Sequence, residues 1–298
     1  MRLRRIVQIV VLLALAVRAA RASEPGSPAA PAPAGQRVFV CGHSFHVGIA
    51  KPLEQVAKAA GIEGHATVGV QFLGGSSVTR HWELPADKNQ AKQAVISGKI
   101  DVLTLSPAWL MPDPAIERFI DLAVSHNPAV RVTVQQSWVG WDALDPSRRI
   151  QQNEQRDKKT VADLKPDLDV VRTKIGGQVR TSNEKHGRRV AALVPTGDAV
   201  MLLREKVLEG KAPGIAKQSE LFGDNLGHGK EPVVVLNAYC HFAVIYGRSP
   251  VGLKAFERPR DEHWTKLNRL LQELAWQAVC AEPLSGVKAG EKITRDRP

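Results

Sequence analysis

Residues 37–46 read Arg37-Val38-Phe39-Val40-Cys41-Gly42-His43-Ser44-Phe45-His46. Val38 to Cys41 is an unbroken apolar run, the pattern of a strand buried on both faces of a parallel sheet. It stops at a glycine, which lets the backbone turn tightly. The spacing of Ala50, Leu53, Val56 and Ala60 beyond it is helical. A serine on such a strand-to-helix turn stands at the carboxyl edge of a sheet, near the positive end of a helix dipole. Two readings of Ser44 follow. It is either the N-cap of the helix or a presented nucleophile.

Further along the chain, short β-branched runs at 67–72, 100–105, 130–134 and 190–194 predict four more strands. Helical periodicity predicts helices at 88–97, 116–124, 198–209, 232–246 and 261–279. Strands alternating with helices imply an α/β fold with a parallel sheet covered on both faces, and ligands in such folds sit at the carboxyl ends of the strands. Residues 145–189 break the rhythm, with dense charge and no apolar strand. Val161, Leu164, Leu168, Val171, Ile175 and Val179 recur there at three- and four-residue spacing, so part of this charged insertion is an amphipathic helix. Pro166 is expected at a boundary or first turn of that helix. No internal repeat is found.

The ends carry their own signals. Arg2, Arg4 and Arg5 precede an apolar stretch from Ile6 to Val17, and Ala20-Arg21-Ala22 supplies small residues at a cleavage position. This is the composition of a secretory signal over 1–22, and the apolar run is short for a membrane span. The alternative, an uncleaved anchor helix, has Arg18 and Arg21 against it. Residues 23–35 form a Pro/Ala-rich linker, the domain is expected over 36–285, and a basic tail covers 286–298. The expectation is export to the periplasm or medium, with no stable span after cleavage.

The 298 residues carry a formal net charge of +11, which invites a nucleic-acid reading. Five arginines lie in residues 1–22 without an acid, and twelve Lys/Arg against seven Asp/Glu lie in 145–189. The rest is near +1. The basicity belongs to the export signal and one segment, and no nucleic-acid partner is expected. Three scattered cysteines, Cys41, Cys240 and Cys280, exclude a disulfide-stapled miniprotein and read mainly as core thiols, with one disulfide permitted by export.

A serine nucleophile needs a base, and the base needs an orienting acceptor. Among nine histidines the best placed is His228, in Leu221-Phe222-Gly223-Asp224-Asn225-Leu226-Gly227-His228-Gly229. An aspartate four residues before a histidine in a Gly-rich loop can accept the imidazole N–H; by spacing alone the loop also reads as merely solvated. The first strand is not followed by a GxSxG elbow, because position 46 is histidine.

Together these pieces resemble the SGNH (GDSL-like) hydrolase superfamily over most of residues 36–255. Gly42-His43-Ser44-Phe45 resembles the first family block, whose serine is the nucleophile. Leu73-Gly74-Gly75-Ser76-Ser77, followed by His81-Trp82, resembles the second, whose glycine offers a backbone N–H to the oxyanion hole. Asp224 and His228 resemble the last, and the run from Asn237 to Pro250 resembles the closing helix of exported members. The resemblance implies a flavodoxin-like three-layer α/β/α sandwich with a central parallel sheet of about five strands. It implies ester hydrolysis by Ser44, His228 and Asp224, with Gly74, Gly75 and Ser106 around the oxyanion, no cofactor, and a small-molecule or carbohydrate ester as substrate. Two departures stand out: the Asp–His separation is four rather than three, and Leu105-Ser106-Pro107 replaces the asparagine of the third block, so Ser106 would have to donate in its place.

The rival readings are three. The first is a weak or inactive domain that binds a glycan or envelope component. The second is a nucleic-acid binder, and the third a metal site from His43, His46, Asp224 and His228. His46 reads as a helix-face residue near the pocket, and His81 and His241 as packing or rim groups. Trp82, Trp109, Trp138 and Trp141, near strand ends, are either partly buried or stacked on sugar rings. The oligomeric state is left open.

Overall fold

The computed structural model describes residues 33–288. The expected export signal, the linker before residue 33 and the tail beyond residue 288 lie outside the described residues.

Five strands form one all-parallel sheet: β1 (Arg37–Gly42), β2 (Ala66–Phe72), β3 (Val102–Leu105), β4 (Arg131–Gln135) and β5 (Ala191–Val194), in the order β2-β1-β3-β4-β5. That is the flavodoxin-like order. Alternation along β1 divides the core. Val38 and Val40 face one cluster with α1 (Ala50–Ala59), α6 (Thr196–Leu208), α7 (Glu231–Tyr246) and α8 (Glu262–Ala281). Phe39 and Cys41 face the other, with α3 (Gln90–Ile96), α4 (Pro114–His126) and α5 (Val161–Lys185). The expected strands and helices all form, with ends displaced by a few residues. The sequence reading missed a short helix, α2 (Val78–Trp82), capped by the Ser77 side chain.

The charged segment needs a correction. It is not an insertion beside the fold: its helix α5 is the crossover from β4 to β5, which a parallel pair requires. Val171, Ile175 and Val179 are buried against the sheet. Nor does Pro166 mark a boundary; it lies inside α5, whose start is set by a capping box between Thr160 and Asp163. A proline there costs about 3 kcal/mol. Burying each of five apolar side chains along the helix returns roughly 1.5–3 kcal/mol, so packing wins.

With this order, the crossovers from β1 leave to opposite sides at β1 and β3. The crevice lies outside the carboxyl ends of those strands. The turn carrying Ser44 follows β1, and Ser106 follows β3.

Candidate active site

Gly42 ends β1 because nothing larger fits: a Cβ there would lie 2.5 Å from His46 Nδ1 and 3.3 Å from the Ser106 Cβ. The close approach, rather than an unusual φ, demands glycine. The chain then turns through a 3₁₀ turn at Val47–Ile49 into α1, and the cap positions are His46 and Ile49. Ser44 caps neither. Its Oγ lies 2.9 Å from His228 Nε2, and His228 Nδ1 lies 2.6 Å from Asp224 Oδ2. The three side chains form one continuous chain of hydrogen bonds, half-exposed at the carboxyl edge of the sheet.

The four-residue Asp–His separation is absorbed at Gly227, whose φ of +104° only glycine adopts readily. Asp224 Oδ1 also accepts the backbone N–H groups of Gly227 and His228, at 2.8 and 3.1 Å. Partial burial raises the Asp224 pKa, but the hydrogen bonds from His228 and Gly227 outweigh it and hold the carboxyl below its ordinary value.

Each carbonyl of this loop is held. Arg156 Nη2 donates to the oxygens of Asp224 and Asn225 at 3.0 and 2.6 Å. The Trp141 N–H reaches Leu226 O at 2.9 Å, Trp138 Nε1 reaches Gly227 O at 2.8 Å, and the Gly223 N–H reaches His228 O at 2.8 Å. Arg156 is itself fully buried, paired with Asp142, which Arg204 grips at 2.9 and 2.7 Å. Trp138 also stacks on Phe45 at 4.7 Å, and Phe45 meets the His228 ring edge-on at 5.4 Å. The sequence reading missed Asp142, Arg156 and Arg204, none of which it singled out.

The turn under Ser44 is equally fixed. Phe45 O accepts from Gln135 Nε2 and Asn237 Nδ2, both at 3.1 Å. His43 is buried, and burial pushes its pKa down to about 4. Its Nδ1 accepts the Phe45 N–H at 3.3 Å, so the proton sits on Nε2, facing Pro107 O at 3.3 Å and Ser106 Oγ at 3.0 Å.

That geometry corrects the expectation for Ser106. Its side chain is wholly inaccessible and its hydroxyl lies between His43 and Ser137, so a substrate oxygen cannot reach it. Gly74 and Gly75 are exposed, on a turn joined to the nucleophile turn by Leu73 N–H to Gly42 O at 3.3 Å. His81 locks that turn: it accepts from Gln71 Nε2 at 3.0 Å and donates from Nε2 to Ser76 Oγ at 2.8 Å, which in turn donates to Leu73 O at 2.9 Å. Among the described residues, the backbone N–H groups of Ser44, Gly74 and Gly75 have no protein acceptor.

The remaining candidates separate from the site. His46 and His241 are fully buried, bonded to Thr104 at 2.6 Å and Gln135 at 3.0 Å, not at a pocket rim. Among the described residues no group of three or more His, Cys, Asp or Glu is placed to hold a metal, and no disulfide forms. No described helix is long and apolar enough to cross a membrane. Trp138 is buried, while Trp109 is 47 % exposed.

No family model matches the chain, and no curated protein matches its sequence. Among solved structures it is similar to a DUF4886 family protein from Bacteroides uniformis, at 15% identity and a TM-score of 0.53, over 83% of this chain and 95% of that one. It is also similar to a protein provisionally assigned as an SGNH hydrolase from Slackia heliotrinireducens (12% identity, 70% of this chain and 97% of that chain, TM-score 0.41). A third, provisionally assigned as a GDSL-like lipase from Parabacteroides merdae, has 12% identity over 74% of this chain and 99% of that chain, with a TM-score of 0.40. At these identities the likeness concerns the fold. That fold is a flavodoxin-like three-layer α/β/α sandwich around a five-stranded parallel sheet, the architecture expected from the sequence.

Proposed function

We propose that the chain is a serine ester hydrolase acting through Ser44, His228 and Asp224. The observation that carries this reading is the unbroken contact from Ser44 Oγ through the His228 ring to Asp224, at 2.9 and 2.6 Å. A base within hydrogen-bond reach of the nucleophile and a third group orienting the base make up the triad logic.

Ser44 Oγ attacks the ester carbonyl while its proton passes to His228 Nε2. Asp224 holds the imidazole through Nδ1 and stabilises its cationic form. The oxyanion is met by the N–H groups of Ser44 and Gly75. His228 then gives the proton to the leaving alcohol oxygen as its bond to the acyl carbon breaks. Water, deprotonated by His228, attacks the acyl-serine, releasing the carboxylic acid and restoring Ser44. The substrate class is an acyl or acetyl ester of a glycan or small molecule, and the basic n-region and apolar stretch before Ala22 support export as the location.

The second reading, a domain that binds without turnover, is favoured by one observation. Ser106 is sealed off, so it does not replace the oxyanion side chain of the third block, and a lost oxyanion donor costs about 10²–10³ in rate. Hydrolysis of 4-nitrophenyl acetate by wild type and by Ser44→Ala separates the two. Turnover that disappears in the variant supports the hydrolase; no turnover, or turnover untouched by the substitution, removes it.

A further inference from the structure

At the carboxyl edge of the sheet stands Arg149, a cation that the proposed chemistry leaves unused. The Arg149 guanidinium forms no salt bridge among the described residues, and its one hydrogen bond is a long one, from Nη2 to Leu144 O at 3.5 Å. Its Nε is shut off from solvent without an acceptor. The neighbouring Arg148, by contrast, is committed to Asp167 at 2.8 Å. Asp145, the nearest acid in sequence, accepts from the Ser147 N–H and Oγ, both at 2.8 Å. Asp145 lies within electrostatic reach of Arg149 but makes no hydrogen bond with it, and a half-buried guanidinium with unfilled donors is unfavourable in isolation.

What holds Arg149 is a pair of indoles. Its guanidinium carbon lies 4.4 Å from the ring centre of Trp141 and 5.9 Å from that of Trp109. The two indoles stack on each other at 5.1 Å and 30°. Trp109 follows β3 and Trp141 follows β4, so the pair stands at the carboxyl edge. A Cβ added at Gly75 would lie 3.6 Å from Trp109 Nε1, and one at Gly140 would meet the Trp109 ring at 2.9 Å and Leu226 at 3.2 Å. The indole pair therefore bridges the Gly75 turn and the Asp224–His228 loop, the two segments that flank Ser44.

Trp141 is held there against its backbone preference. Trp141 and Asp142 are successive non-glycine residues at positive φ, +53° and +57°. Asp142, gripped by Arg156 and Arg204, and the bond from the Trp141 N–H to Leu226 O fix this conformation. Strain maintained beside a nucleophile points to function at the strained residue.

We propose that Trp109, Trp141 and Arg149 form a recognition subsite whose ligand is a carboxylated sugar, and that the substrate is an acyl ester of such a sugar. The C–H face of the pyranose lies on the exposed indole of Trp109, and the carboxylate fills the unpaired donors of Arg149. A planar guanidinium matches a carboxylate in a two-point contact while its face stacks on an indole. The position of the ester at Ser44 rests on the hydrolase reading; the binding of the acid does not.

Titration calorimetry with trigalacturonate and its carboxyl-reduced counterpart tests the subsite without turnover. Wild type binds the acidic trisaccharide at least about tenfold more tightly than the reduced one, the scale of a charge-assisted contact. Arg149→Gln erases that difference, Arg149→Lys keeps part of it, and Trp109→Ala weakens both ligands. No binding of trigalacturonate, equal binding of the two, discrimination that survives Arg149→Gln, or equal loss in the Gln and Lys variants overturns the proposal. Ser44-dependent hydrolysis of 4-nitrophenyl acetate without this discrimination overturns the subsite alone. Discrimination in binding without any ester turnover supports the subsite and overturns the hydrolase reading alone.

Discussion

Arg156 Nη2 donates to the carbonyl oxygen of Asn225 at 2.6 Å, tying a wholly buried guanidinium to the loop that carries Asp224 and His228. Within the core it shares the Asp142 carboxylate with Arg204. Arg156→Met leaves Asp142 paired with Arg204 but strips the carbonyl oxygens of Asp224 and Asn225 of their donor. The exchange is expected to cost roughly 1–3 kcal/mol of stability, the scale of an unsatisfied buried polar group. Urea unfolding monitored by tryptophan fluorescence measures it, and a midpoint close to wild type would show that the cluster does not hold the loop.

The loop's geometry depends on one glycine. Gly227 sits at φ +104°, and a Cβ there would lie 3.2 Å from Arg156 Nη2 and 3.5 Å from Trp138 Nε1. Gly227→Ala is expected to cost about 1–3 kcal/mol in backbone strain. Because the strain falls between Asp224 and His228, ester turnover should fall by a larger factor than global stability predicts. Steady-state kinetics beside thermal unfolding of the same variant reads both quantities.

Asp224 accepts the imidazole N–H and two backbone N–H groups. Asp224→Asn nearly preserves the shape but favours the wrong tautomer of His228. A loss of about 10³–10⁴ in kcat, with little change in KM, is expected for that exchange in a triad. Kinetics of 4-nitrophenyl acetate hydrolysis decides it, and an unaltered kcat would remove Asp224 from the mechanism.

Four buried histidines set a pH dependence of stability. Burial pushes His43 and His81 down to about 4 and His241 to about 3, and holds His46 well below its ordinary value. As pH falls below about 6.5, the unfolded chain takes up protons that the folded chain refuses, so folding loses free energy. The loss grows until pH reaches the folded values, near 4 and below. The melting temperature is accordingly expected to be highest near pH 7 and to fall steadily from about pH 6.5 to about pH 4. Calorimetric scans across that window check it; a midpoint that rises on acidification would mean that these imidazoles are not buried neutral.

How much of this was legible in the sequence depends on whether local pattern or packing decided the outcome. The strands were legible because short runs rich in apolar and β-branched residues suit a sheet buried on both faces, as at Val38–Cys41 and residues 130–134. Ser44 was legible as a presented residue, but only the fold brings His228, 184 positions away, to its Oγ. Pro166 misled because a local rule on helix interiors was outweighed by apolar burial along α5. Ser106 misled because its place after β3 says nothing of the direction of its hydroxyl, which His43 draws inward. Asp142, Arg156 and Arg204 were invisible: charge in a sequence reads as surface, and only their convergence in three dimensions allows it to be buried.

The central claim is that Ser44 is an activated nucleophile. Labelling with a fluorophosphonate, followed by peptide mass mapping, tests it most directly. The account predicts one covalent adduct per chain, on Ser44, absent from Ser44→Ala and strongly slowed in His228→Ala. An unlabelled wild-type chain, or an adduct on any other residue, would contradict it.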